Sequence, residues 1–208
     1  MDGVFMLKFI KLLWSAVLVV VLFGIGILAG DKYTLRNDLI RLHVVAASDS
    51  VEDQSIKLQV RDDILSYLQN HMPQVKNARE AKAYLSENLT QLQTVAEATL
   101  TRLGSLDRAQ VTLTREEFPL RHYDTFSLPA GIYDSLCIRI GEGKGQNWWC
   151  VVFPSLCMGA TSQVFCEDAV QAGMDPGLAG SLSDTGQVQI RFFLLDCLGK
   201  LENFFHAE

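Results

Sequence analysis

The run Leu39-Ile40-Arg41-Leu42-His43-Val44-Val45-Ala46-Ala47 alternates in character. Ile40, Leu42, Val44 and Ala46 fall on one side of an extended chain, and Arg41, His43 and Val45 on the other. That period of two predicts a half-buried strand, with His43 facing solvent. Ser48-Asp49-Ser50 ends it. Ser50 with Asp53 three residues on forms a capping-box-like helix start, and Glu52 and Asp53 lie at the positive end of the dipole. Ile56, Val60, Ile64, Tyr67 and Leu68 then make one apolar stripe, which stops at Met72-Pro73.

Downstream, Asn77 with Glu80 opens a second helix. Its stripe runs Ala81, Leu85, Leu89, Leu92, Ala96, Leu100 and Leu103, and Gly104 is placed to cap it. Val111 and Leu113 alternate with Thr112 and Thr114 in a strand that reaches Phe118-Pro119. Ile132, Leu136, Ile138 and Ile140 predict another, Trp148–Phe153 a buried one, and Val188, Ile190, Phe192 and Leu194 a late one. The order predicts an α+β domain, with two helices packed on one side of a mainly antiparallel sheet.

Upstream, Leu12 to Gly30 contains no charged residue. Nineteen helical residues span about 28 Å, close to the hydrocarbon thickness of a bilayer. Lys8 and Lys11 precede the run and Asp31 and Lys32 close it. It reads as a signal peptide or an uncleaved signal-anchor. The exit Ile27-Leu28-Ala29-Gly30 lacks a clean small-x-small cleavage site and favours the anchor. Lys8 and Lys11 staying inside would direct the rest of the chain outward, although Lys32, Arg36 and Arg41 weaken that bias. The expected organisation is therefore 1–30 membrane segment, 31–157 exported domain and 158–208 C-terminal extension.

The 208 residues are 49% hydrophobic and 20% charged, with a net charge of −6. This composition excludes a disordered or collagen-like chain, and the acidic balance argues against a nucleic-acid binder. The mean hydropathy of +0.15 is an average over unlike pieces. Residues 1–30 carry Lys8, Lys11 and Asp2, so the remainder is an ordinary acidic domain one charge more negative than the whole.

Motifs of chemistry fail on context. Gly141-Glu142-Gly143-Lys144-Gly145 leads into Asn147-Trp148-Trp149, a strand, whereas a phosphate loop needs a helix N-terminus there. It reads as a hairpin loop. Asp184-Thr185-Gly186 matches the aspartic-protease triplet, but one copy lacks the second carboxylate and its polar surroundings suit a surface turn. His43, Ser48 and Asp49 lack the strained elbow that exposes a nucleophile. His71, His122 and His206 show no metal-ligand spacing with each other or with cysteine.

Of the cysteines at 137, 150, 157, 166 and 197, Cys150 and Cys157 flank a turn and are the disulfide candidates of an exported domain. Closing so short a loop contributes about 2.5 kcal/mol. Two separate buried thiols are the other reading. The apolar neighbours of Cys150 would make a free thiol there inert. Arg121, Tyr123, Tyr133, Trp148 and Trp149, with Pro129 and Gly131, are the residue types of a recognition surface. Adjacent strand tryptophans must point to opposite faces.

Two ordered stretches carry a resemblance. His43-Val44-Val45-Ala46-Ala47-Ser48-Asp49-Ser50, Asp53-Gln54, Lys57-Leu58 and Val60-Arg61-Asp62 resemble the first signature of the stage II sporulation protein R family. Pro129-Ala130-Gly131-Ile132-Tyr133, Ile140-Gly141, Gly143, Gly145, Asn147-Trp148-Trp149-Cys150 and Phe153-Pro154-Ser155-Leu156-Cys157 resemble the second. Ala47 stands where the family pattern has Asn, Asp124 where it has Gly and Ser155 where it has Pro; nothing after Met158 matches.

The resemblance implies a non-enzymatic signalling protein of endospore formers, exported from the forespore into the space between the forespore and mother-cell membranes. There it would activate a membrane-embedded aspartic protease of the mother cell, which processes the precursor of the early mother-cell sigma factor. No cofactor, metal, nucleic acid or small-molecule substrate is implied. The expected contact residues are His43, Ser48, Asp49, Ser50, Asp53, Arg121, Tyr123, Pro129, Gly131, Tyr133, Trp148 and Trp149. The alternatives are an exported cell-wall or peptide hydrolase using His43 or Cys150, and a membrane-anchored wall-binding module.

Overall fold

β1 (Ile40–Val45) forms where the alternation predicts it, and all six of its residues are buried, so both faces of the strand are covered. A computed structural model describes residues 3–72, 75–123, 126–154, 162–183 and 190–206. β1 lies inside a four-stranded sheet ordered β2-β5-β1-β6, with β2 at Ala109–Phe118, β5 at Gly131–Ile140 and β6 at Asn147–Phe153. Leu42 faces Leu136 on β5 in parallel register and Cys150 on β6 in antiparallel register, and β2 pairs antiparallel with β5. The class is the expected α+β.

The sheet order corrects one expectation. β5 and β6 flank β1 and do not pair with each other, so Gly141–Gly145 is not a hairpin loop. It passes over the end of β1 instead, where the amides of Lys144 and Gly145 donate to the carbonyls of Ala47 and Ala46 at 3.2 and 3.0 Å. The spacing of two apolar strands cannot reveal that a third, distant in sequence, lies between them.

α2 (Val51–His71) starts at Ser50, whose side chain accepts from the Asp53 amide at 3.0 Å. The second predicted helix divides at Asn88 into α3 (Ala78–Glu87) and α4 (Leu89–Arg102). Asn77 caps α3 by accepting from the Glu80 amide, and Gly104, at φ +74°, ends α4 with the Ser105 amide donating to the Leu100 carbonyl. Ile56, Val60 and Ile64 of α2, Ala81 and Leu85 of α3, and Leu92, Ala96 and Leu100 of α4 form one core with Leu42, Val44, Leu136 and Ile138 of the sheet.

A second core joins Phe118, Tyr133 and Val151 to Leu35, Leu39, Leu178, Leu182 and Leu195. Its helices are α1 (Gly3–Asp38), α5 (Ser162–Gln171), α6 (Pro176–Leu182) and α7 (Ile190–His206), and a two-stranded ribbon, β3 (Arg121–His122) with β4 (Ser127–Leu128), completes the described elements. α1 is long and apolar enough over Ile10–Asp38 to cross a membrane. Its apolar run is exposed, and its last turns enter the second core through Leu35. α7 takes the place of the late strand predicted at Ile190, Phe192 and Leu194, and Val188 lies outside the described residues. Phe193 and Leu195 break the alternation, and Phe192, Leu195, Gly199 and Asn203 follow at helical spacing. The triplet at Asp184–Gly186 and Cys157 lie outside the described residues.

Candidate functional site

Two loops meet at one end of the sheet. Ser48 and Asp49 follow β1, and the Glu142–Gln146 loop precedes β6. Asp49 Oδ1 accepts from the Gln146 amide at 2.7 Å, and Lys57 Nζ donates to the Gln146 carbonyl at 3.0 Å and to Gln54 Oε1 at 2.6 Å. Gln54 Nε2 donates to the Ser48 carbonyl at 2.8 Å, and Ser48 Oγ donates to Asp53 Oδ2. The loops are packed so closely that a Cβ on Gly145 would overlap the Ser48 carbonyl. Gly145 is thus required for a close approach of two backbones.

Ser48, Asp49, Ser50 and Asp53 spend their hydrogen-bonding capacity on this clamp and on the α2 cap. Lys57 is only 4% exposed, and burial pushes its ammonium below the ordinary lysine range, partly offset by Asp49. The result is a rigid corner. Trp148 stands on it, 38% exposed, with the Arg61 guanidinium 4.3 Å from its ring centre. Val51, 90% exposed, lies on the same corner at the start of α2.

The other half of the predicted set lies on the opposite face of the sheet. Trp149 stacks on His43 with ring centres 3.8 Å apart, and Phe118 meets Trp149 edge-on at 4.6 Å. The tryptophans therefore divide between the two faces, as strand geometry requires. Tyr123 stacks on Phe126 at 4.5 Å and donates to the Trp149 carbonyl at 3.2 Å, while Arg121 sits 5.8 Å from the Trp149 ring centre. Tyr133 donates to the Pro129 carbonyl at 2.9 Å and lies back over Gly131, which has φ +157°.

His43 is not solvent-facing. It is 8% exposed, with Nδ1 3.1 Å from Glu116 Oε2 and Nε2 3.0 Å from Asn147 Oδ1. The strand is covered on both sides because the rings of Trp149 and Phe118 close over the face that alternation assigned to water. Burial alone would raise the Glu116 carboxyl, but the hydrogen bond and the charge of His43 bring it below its ordinary value.

Sequence reading missed the group that organises this face. Arg41 is completely buried, donating from Nε to the Cys150 carbonyl at 3.1 Å and from Nη2 to the Tyr123 hydroxyl at 3.0 Å. Its guanidinium lies 4.3 Å from the Phe118 ring centre and 5.0 Å from that of Tyr133. Such a cation is stabilised by aromatic faces. Its partners come from strands and a loop far away in sequence, so period-two reading showed only an outward arginine.

Also missed was Cys137, 3.7 Å from His43 Nδ1. The His43, Glu116 and Cys137 donor atoms lie within 4.8 Å of one another, a donor set that suits zinc. As a nucleophile the thiol is poorly placed. Burial, then the Glu116 charge, pushes it up to about 12. Glu116 and Cys137 also meet the same ring nitrogen, whereas a relay needs them on opposite ones. Cys150 is disulfide-bonded and holds no free thiol; its predicted partner Cys157 lies outside the described residues.

These features define an α+β domain behind an apolar helix, with a clamped corner that presents one tryptophan and an aromatic-lined opposite face that holds the His43, Glu116 and Cys137 group. The family profile described as stage II sporulation protein R matches residues 36–163, and the chain belongs to that family. It is similar to stage II sporulation protein R of Bacillus subtilis (strain 168), 33% identical over 123 residues, which cover 59% of this chain and 55% of the relative. The chain thus spans little more than half the length of that relative. No solved structure matches. The match takes in the whole sheet and both signatures and leaves out α6 and α7.

Proposed function

We propose that this protein is an exported signal of sporulation that activates a membrane-embedded aspartic protease of the mother cell, so that the precursor of the early mother-cell sigma factor is processed. The observation that carries the reading is family membership across the whole sheet and both signatures. In this reading the domain leaves the forespore for the intermembrane space behind α1, which is cleaved or kept as an anchor, and contributes binding rather than chemistry. It uses no cofactor, nucleic acid or small-molecule substrate.

The contact surface is the corner of Asp49, Ser50, Val51 and Trp148. A tryptophan with an arginine over its ring, held on a rigid frame and exposed, matches the residues that dominate protein interfaces. His43, Tyr123, Tyr133 and Trp149 support that frame from behind. Binding activates only through a difference in affinity between two protease states. Moving such an equilibrium from one part in a hundred to ninety-nine requires about 10⁴-fold, or about 5.5 kcal/mol.

Co-expression with the protease and its sigma-factor precursor in a non-sporulating host tests the reading. Processing that depends on this protein supports it, and processing that proceeds unchanged in its absence overturns it.

A further inference from the structure

α7 is apolar on both of its sides. Inward, Phe192, Leu195 and Gly199 face the domain: Leu195 is 2% exposed, and Asp196 Oδ1 accepts from the Ala130 amide at 3.0 Å. Outward, Phe193, Leu194, Leu198, Leu201, Phe204 and Phe205 form one stripe at helical spacing, each between 38% and 67% exposed. A helix with apolar residues on two of its faces calls for a second apolar surface.

The way α7 meets α1 identifies that surface. Lys32 and Arg36 follow the apolar run of α1 directly, and both pair with Glu202, at 2.7 and 3.8 Å. Leu195 shares a small cavity with Lys32, Leu35 and Arg36. Leu195 and Glu202 are about 10 Å apart along α7, yet both meet this one turn of α1. The two helices therefore meet where the chain leaves the apolar run. With α1 inserted, that meeting point is the lipid–water boundary, and Phe204 and Phe205 lie within one turn of Glu202.

We propose that α7 is an interfacial helix that lies on the bilayer α1 enters, its Phe193–Phe205 stripe set into the boundary between headgroups and acyl chains. This rests on the reading of α1 as lipid-inserted. The occupant is a lipid surface, because the stripe continues the apolar surface of α1 at its exit. Interfacial helices bind through such a stripe, with aromatic residues at the headgroup level. The domain is then held with α7 beneath it, whether or not α1 is later cleaved.

The test uses the full chain in phosphatidylethanolamine–phosphatidylglycerol vesicles. Cys197 is exposed on α7 beside the stripe and, in a Cys166→Ser background, takes an environment-sensitive fluorophore. A separate Ser15→Cys, Cys166→Ser, Cys197→Ser chain reports on α1. The expected result is quenching of both probes by nitroxide carried on the acyl chains. Phe204→Asp with Phe205→Asp should return the Cys197 probe to water without moving the melting midpoint, since both side chains are 67% exposed. A Ser15 probe quenched by lipid beside a Cys197 probe quenched only by aqueous iodide overturns the proposal and leaves α1 inserted. A Cys197 probe shielded from both quenchers, with Cys197-linked dimers, overturns it in favour of a second copy. If lipid quenches neither probe, the reading of α1 fails and the proposal fails with it.

Discussion

Replacing Gly199 by alanine should undock α7. A Cβ at this position would overlap the Ala130 carbonyl, a backbone atom in the turn that leads into β5, so no flexible side chain can give way. The helix must move off, and three of its interactions, those with the sheet side of the domain, go with it. The Asp196–Ala130 hydrogen bond is a buried charged one, about 1.5–3 kcal/mol. Burial of Leu195 contributes about 1.5–3 kcal/mol. Asn203 Nδ2 to the Phe118 carbonyl, 3.2 Å, adds about 0.5–1.5 kcal/mol. Alanine returns about 1 kcal/mol of helix propensity, leaving a net loss of about 2.5–6.5 kcal/mol confined to the docking of α7. Hydrogen exchange resolved by segment is the assay. The Ala130 amide and α7 should lose protection while β1, β5 and α2 keep theirs. Gly180→Ala on α6 is the control, because nothing lies within 4 Å of the added Cβ. Native protection of α7 in Gly199→Ala would refute the reasoning.

Three further outcomes follow from the same geometry. Ser50→Ala removes the acceptor of the Asp53 amide at the start of α2 and should cost about 1 kcal/mol in urea unfolding, with Ser50→Gly costing only a few tenths. Glu116 has a folded-state pKa below its ordinary 4.5, so its stabilisation is complete above that value and is lost as pH falls from there through the folded value. Glu116→Gln should flatten that acid limb of the stability curve, and an unchanged limb would show that the His43 contact contributes nothing. Cys150→Ser should lower stability by about 2–4 kcal/mol, and a non-reduced peptide map should join Cys150 to Cys157.

Local signals carried most of the fold. Ser50, Asn77 and Gly104 marked helix ends because caps act within a few residues, three of the strands followed from alternation, and β6 followed from an unbroken apolar run. What stayed hidden was pairing. That β1 is inserted between β5 and β6 depends on partners about 100 residues away, and the same blindness turned the Gly141–Gly145 crossover into a hairpin. His43 seemed exposed for this reason as well, since a strand covered on both faces can still carry polar residues on one if Glu116 and Asn147 arrive to meet them. Arg41 passed for an outward charge because its aromatic cage is assembled from Phe118, Tyr123 and Tyr133. At α7 the misreading was one of period: residues 188–192 alternate, and only the longer run through Asn203 shows the helix. Trp148 and Trp149 were separable from the start, as neighbouring strand residues cannot share a face.

The corner of Trp148 bears the account of function. Trp148 belongs to neither buried core, so Trp148→Ala should leave the fold intact, and the unfolding midpoint measured alongside separates a lost contact from lost stability. The decisive measurement is precursor cleavage in the reconstituted pair of protease and signal, with this variant beside the native chain. The account predicts cleavage that requires the native protein and falls at least tenfold with Trp148→Ala, about 1.4 kcal/mol or more of lost interaction. Full cleavage with the variant would remove the corner as the contact surface, and full cleavage without any signal protein would contradict the activator reading itself.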